Sequence, residues 1–147
     1  SPSAYRWLAE EIKETIEPDS TRRRRIFISR QKADSRRIEN RREVMQELSE
    51  RGFEKYILED MTFEEQVELF NNSDCIVAAQ GAGLTNMIYA TETTVVTLFG
   101  KDINSCYPVL ADGLGFDNAV QMCTASGLDL RVDTDKLAHL LNTLAIE

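Results

Sequence analysis

The chain has 147 residues, 17 of them Lys or Arg and 25 Asp or Glu, for a formal charge of −8. A sequence pI near 4.8 argues against a general nucleic-acid binder, which usually carries a net basic domain. The charge is divided, however: residues 21–42 hold ten basic side chains against two acidic ones, +8, which leaves −16 for the remainder. A local anion site stays open, because a cluster acts locally while net charge governs solubility and long-range steering.

At 42% hydrophobic and 29% charged, the composition is globular, and the length suits one core without disulfide or metal staples. No apolar run approaches the roughly 18–20 residues of a membrane span. The opening Ser1-Pro2-Ser3-Ala4-Tyr5-Arg6-Trp7 lacks the apolar region of a signal peptide. Cys75, Cys106 and Cys123 are odd in number and widely spaced, so they read as reduced, mostly buried thiols of an intracellular-type domain.

Tyr5, Leu8, Ile12 and Ile16 recur at helical spacing, and Pro18 with Asp19-Ser20 stops that helix. Ile26-Phe27-Ile28-Ser29 then suits a strand buried on both faces. Arg36 and Arg37 are expected to open a helix with Ile38, Met45 and Leu48 on one face, ended by Gly52. Tyr56-Ile57-Leu58 is the next expected strand, and Thr62 with Glu65 forms a capping box opening a helix with Phe63, Val67 and Phe70 inward.

Cys75-Ile76-Val77-Ala78-Ala79 is a third expected strand, followed by a turn at Gly81-Ala82-Gly83 and a helix through Tyr89. Val95 to Phe99 is a fourth, and beyond it a short helix is expected at Tyr107 to Leu114, a fifth strand at Ala119 to Met122 and a final helix carrying Leu137, Leu140, Leu141 and Leu144. This alternation predicts an α/β, Rossmann-like three-layer sandwich with a mainly parallel sheet of about five strands. Residues 20–147 are expected to form one domain, with residues 1–19 as a flanking helix. Ligands of such sheets bind beyond the carboxyl ends of the strands, which points to the loops after Ser29, Asp60 and Ala79.

Two constellations fall at that edge. The glycines of Gln80-Gly81-Ala82-Gly83-Leu84-Thr85-Asn86 allow close backbone approach, and the helix that follows presents amides suited to phosphate; glycine and alanine also serve a plain tight turn. Ser29-Arg30, with Arg36 and Arg37, would face the same edge, and the planar guanidinium fork matches phosphate oxygens. Arg22 to Arg25 precede the strand and belong at the opposite edge, as a solvated run or partner contact. The nicotinamide fingerprint does not fit, since the glycines follow the third strand rather than the first. Asp133-Thr134-Asp135 reads as a helix cap rather than a metal motif, and His139, the single histidine, lies on the terminal helix away from the edge.

In order, Ile28-Ser29-Arg30, Arg37-Ile38-Glu39-Asn40, Glu65-Gln66 with Leu69-Phe70, and Gly81 to Asn86 resemble glycosyltransferase family 61 over about residues 24–100. The resemblance implies the C-terminal, donor-binding half of a two-domain GT-B enzyme of polysaccharide or glycan biosynthesis, such as capsular polysaccharide, inverting and metal-independent. Its substrate would be UDP-sugar or another nucleotide sugar, with no further cofactor. Ser29, Arg30, Arg37, Gln80 and Gly81 to Asn86 would bind the donor, with Asn40, Glu65 and Gln66 supporting them. The acceptor, a glycan or lipid-linked glycan, would come through an N-terminal domain or partner chain, which would also supply the catalytic base. Location would be cytoplasmic, or peripheral to the membrane, in a prokaryote, and the Golgi or ER lumen for part of a eukaryotic enzyme. The family has His where this chain has Gln80, which is neither acid nor base, and Asn-Glu where this chain has Asn40-Arg41. A non-catalytic nucleotide- or anion-binding module on the same fold is the alternative.

Overall fold

Strands rich in β-branched residues form the centre of the computed structural model, which describes residues 1–147. They are β1 (Arg24–Ile28), β2 (Phe53–Tyr56), β3 (Ser73–Ala79), β4 (Thr94–Phe99) and β5 (Asp117–Met122), all parallel, in the order β2-β1-β3-β4-β5. The α/β three-layer expectation holds.

Each central strand sends alternate side chains to opposite faces, as the strand period requires. Ile26, Ile28, Ile76, Ala78 and Val95 pack beneath α1 (Pro2–Ile16), α3 (Phe63–Asn71), a 3-10 helix over Ala82–Tyr89 and α4 (Cys106–Gly113). Phe27, Cys75, Val77, Ala79, Val96 and Leu98 pack beneath α2 (Arg41–Ser49) and α5 (Thr134–Thr143). Fully burying such an aliphatic or aromatic side chain stabilises the fold by about 1.5–3 kcal/mol.

Local chemistry sets the helix limits. Thr62 Oγ1 accepts from the Glu65 amide while the Glu65 carboxylate accepts from the Thr62 amide, so the expected capping box starts α3. Asp133 accepts from the Lys136 amide at 3.1 Å and caps α5, whose Leu137 and Leu141 lie one turn apart in the core. The α1 helix docks through Ala9, which joins the core cluster beside Ile88 and Leu114.

Several expected elements differ. Arg36 and Arg37 do not open a helix: α2 begins at Arg41, with Val44 and Leu48 inward, and Ile38 instead forms a parallel bridge to Leu130. The second strand is Phe53–Tyr56, and Leu58 already belongs to a 3-10 turn over Leu58–Asp60. Phe63 is 49% exposed, because the first position of α3 projects off the first turn, where its ring meets Tyr89 edge-on at 6.1 Å. Cys106 is exposed, unlike buried Cys75. An antiparallel hairpin of β6 (Thr124–Ser126) and β7 (Asp129–Arg131) follows β5 and was not foreseen.

The arginine run at the amino edge is tied to the fold residue by residue. Arg22 pairs with Glu54, Arg23 donates to the Glu92 carbonyl, Arg24 to the Tyr56 hydroxyl, and Arg25 to the carbonyls of Arg51 and Glu147.

Candidate functional site

Strand order reverses between β1 and β3, the place where sheets of this topology leave a crevice at their carboxyl ends. Ser29 and Arg30 leave β1 there, and Gln80 and Gly81 leave β3. Two of the candidate residues make a close approach. The half-buried Arg30 guanidinium lies directly over Gly81, so close that any Cβ on Gly81 would collide with Arg30 Nη1. A side chain at 81 would therefore displace the Arg30 guanidinium, while the φ of 171° is ordinary extended backbone. At Gly83 a Cβ would sit 2.7 Å from Cδ1 of buried Leu58, which has less room to move.

Arg30 is aimed by its own loop: Nε and Nη2 both donate to the Ser35 carbonyl at 3.2 Å. That leaves Nη1, over the glycine turn, as the free arm. The 3-10 helix starting at Ala82 presents its first amides at the same place, where an anion can satisfy them. Burial lowers the Arg30 pKa, the nearby Arg36 charge lowers it further, and Glu59 acts in the opposite sense.

Arg36 therefore stands near Arg30, and its guanidinium has no hydrogen bond or ion pair within the chain. Its backbone is left-handed, φ 56°, an outlier for a long side chain, held by its amide donating to the Leu128 carbonyl. Neither guanidinium is in an ion pair, so the two leave positive charge at this edge that Glu59 offsets only in part. Tyr107, on the first turn of α4, is close enough for both guanidinium charges to act on its phenol.

Arg37 is placed differently. Its Nε and Nη2 donate to the two carboxylate oxygens of Asp129 at 3.2 and 3.1 Å, and its amide donates to Asp129 Oδ1. Its side chain is thereby committed to the hairpin.

The remaining candidates divide between edge and scaffold. Ser29 is buried and its Oγ accepts from the Gln31 amide. Gln80 is 3% exposed and both ends of its amide are occupied: Nε2 donates to the Asp102 carbonyl at 2.6 Å, and Oε1 accepts from the Asn104 amide at 2.8 Å. It fastens the loop after β4. Leu84 points into the core, while Ala82 and Thr85 are exposed. Asn86 donates to Gln66 Oε1 at 3.0 Å, and Gln66 Nε2 donates to the Leu58 and Met61 carbonyls, so the pair ties the 3-10 helix to α3 beside the site. Glu65 serves the capping box. Asn40 is buried, and its amide exchanges two bonds with the Val132 backbone, which anchors the segment after the hairpin.

Sequence reasoning missed the hairpin as a wall of the site. It also left Glu59, Lys101, Asp102 and Tyr107 unassigned, although all four border the carboxyl edge or act on Arg30. The family model for glycosyltransferase 61 matches residues 1–97. The chain belongs to glycosyltransferase family 61. No curated protein matches the chain. The family 61 match spans α1 to β4 and contains Ser29, Arg30, Arg36 and the glycine turn, whereas Tyr107 and the hairpin lie beyond it. No helix is long and apolar enough to cross a membrane.

Proposed function

We propose that this family 61 chain is the donor-binding half of an inverting, two-domain GT-B glycosyltransferase that takes a nucleotide-diphosphate sugar. The reading rests on one observation: Arg30 is held over the bare backbone of Gly81 where the strand order reverses, with unpaired Arg36 beside it. A diphosphate there receives charge-assisted bonds from both guanidinium groups and from the amides opening the 3-10 helix.

In such a transfer an acceptor hydroxyl attacks the anomeric carbon, its proton passes to a base, and the nucleoside diphosphate departs with the bonding pair. Arg30 and Arg36 stabilise the charge that accumulates on the departing oxygen, where a preorganised cation lowers the barrier most. Two such cations let the diphosphate depart without a metal in this reading. The base and the acceptor site, for a glycan or a lipid-linked glycan of a polysaccharide pathway such as capsule synthesis, belong to a second domain or partner chain.

One observation favours a second reading, a non-catalytic nucleotide-binding module. Gln80, where the family has His, is a buried amide bonded to the loop after β4, and an amide offers no acid or base at the glycine turn.

Calorimetric titration with UDP, GDP, UDP-sugars and NAD tests the binding claim. A nucleoside diphosphate should bind, with about 2 kcal/mol of affinity lost in Arg30→Ala, as for a charge-assisted contact. Binding of NAD alone sinks the proposal.

A further inference from the structure

The carboxyl edge carries two clefts: Arg30 lines the first, and Ser35, whose carbonyl accepts from Arg30, lines the second. The first, about 370 Å³, lies between the ends of β1 and the Leu58–Asp60 turn, where Ile28, Leu58 and Ala82 supply apolar surface and Gln66 and Asn86 supply amides. The second, about 290 Å³, lies between the loop after β1, the end of β4 and the hairpin, with Gln80 in its lining.

The second cleft carries more charge, four charged side chains against Arg30 and Glu59 in the first. Arg36, Lys101, Asp102 and Asp129 border it, and no aromatic ring does. Asp129 is neutralised by Arg37, which leaves Arg36, Lys101 and the Asp102 carboxylate without side-chain partners. A nucleobase is held best by stacking on an aromatic face, and this cleft offers the apolar side chains of Leu128 and Leu130 but no ring. Sugar hydroxyls donate and accept at once, and so match a wall that offers a carboxylate beside an ammonium. Ser35, whose carbonyl holds Arg30, and Gln80, which precedes Gly81, both line this cleft, so it adjoins the diphosphate position.

Asp102 is held in place before any ligand arrives. Its backbone carbonyl accepts from buried Gln80 at 2.6 Å, which fixes the residue and leaves the carboxylate free.

We infer that this second cleft takes the hydroxyl-rich sugar of the donor, with Asp102 accepting from its hydroxyls and Lys101 donating to them. The inference rests on the nucleotide-sugar reading above. Lys101, Asp102 and the hairpin all lie outside residues 97 and below, so sugar choice is set by a part of the chain that the family match does not include.

The test compares UDP with UDP-glucose, UDP-N-acetylglucosamine and UDP-xylose by calorimetry on the chain, on Asp102→Asn and on Lys101→Met. Both side chains are exposed, and thermal unfolding of the variants checks that the fold is kept. In Asp102→Asn the dissociation constant for UDP should stay within about twofold, while that of the preferred UDP-sugar rises about tenfold, as for loss of a charge-assisted bond. Lys101→Met should act in the same direction. Equal losses for UDP and the UDP-sugar overturn the inference, since the cleft then holds the nucleotide; unchanged affinities overturn it as well. Failure of the unaltered chain to bind any nucleoside diphosphate is a different result, because it removes the donor-binding reading itself.

Discussion

Arg37 and Asp129, 92 residues apart in sequence, face each other fork to fork, and the Arg37 amide bonds the same carboxylate. The pair joins the loop after β1 to the hairpin, and the neighbouring Arg36 amide bonds the hairpin carbonyl of Leu128. On the donor-binding proposal, Arg37 therefore acts through the placement of Arg36 rather than by touching the diphosphate. Arg37→Ala and Asp129→Ala should weaken UDP binding by similar factors, and the double variant by no more than either alone, the signature of one shared interaction. A larger loss in Arg37→Ala that persists in the Asp129→Ala background shows direct contact with the ligand instead.

The same pair fixes a pH dependence. Its hydrogen bonds to Arg37 hold the Asp129 pKa below the ordinary carboxylate value of 3.8. A depressed carboxylate contributes above its unfolded pKa and loses that contribution as pH falls through the folded one. Between about pH 5 and 8 the placement of Arg36 should thus be constant, and calorimetry across that range should show no step from this pair.

Gly81 and Gly83 separate binding from stability. In Gly81→Ala the obstacle is the end of the Arg30 side chain, which can swing away, so chemical unfolding should show a loss below about 1 kcal/mol. UDP affinity should nevertheless fall about tenfold, because the guanidinium has been displaced. In Gly83→Ala the obstacle is buried Leu58, and overpacking there should cost about 1–3 kcal/mol of stability. Intact UDP affinity in Gly81→Ala would remove the Arg30–Gly81 contact from the site.

Gln80→Ala leaves the Asn104 amide and the Asp102 carbonyl without their partner. A stability loss of about 1–3 kcal/mol is expected from two such bonds at a buried amide. Hydrogen exchange should show faster protection loss at Asn104, and slow exchange there in the variant would contradict the fastening role.

The thiols should differ in reactivity. Burial pushes Cys75 up to about 12 and Cys123 up to about 11, so thiolate is scarce in both at pH 8. Cys106 is exposed. A colorimetric thiol assay on the folded chain should show one fast equivalent, lost in Cys106→Ser, with the other two released by denaturant.

What was legible in the sequence was local. The capping box of Thr62 and Glu65 spans three residues, and the core strands announce themselves by β-branched runs such as Cys75 to Ala79. The loop after β1 was misjudged because its partners are distant: Ile38 looks like a helix-face residue until Leu130 is seen to bridge it. The hairpin was missed because Thr124–Ser126 is short and exposed throughout, with no alternation to mark it. Arg30 and the glycine turn could be placed together from topology alone. That Arg36, rather than Arg37, remains unpaired could not, since composition does not say which arginine a remote aspartate will take.

The hairpin contributes Leu130 to the core and no strand to the main sheet. Its exposed tip at Leu128 can therefore be rebuilt with little penalty to folding, yet it walls the cleft next to Arg36. Substitution there changes the shape of what is admitted while the grip over Gly81 is left alone. If the proposed sugar cleft is right, a single edge can in this way keep one leaving group and exchange its cargo, through mutations at a rim that the central strands do not feel.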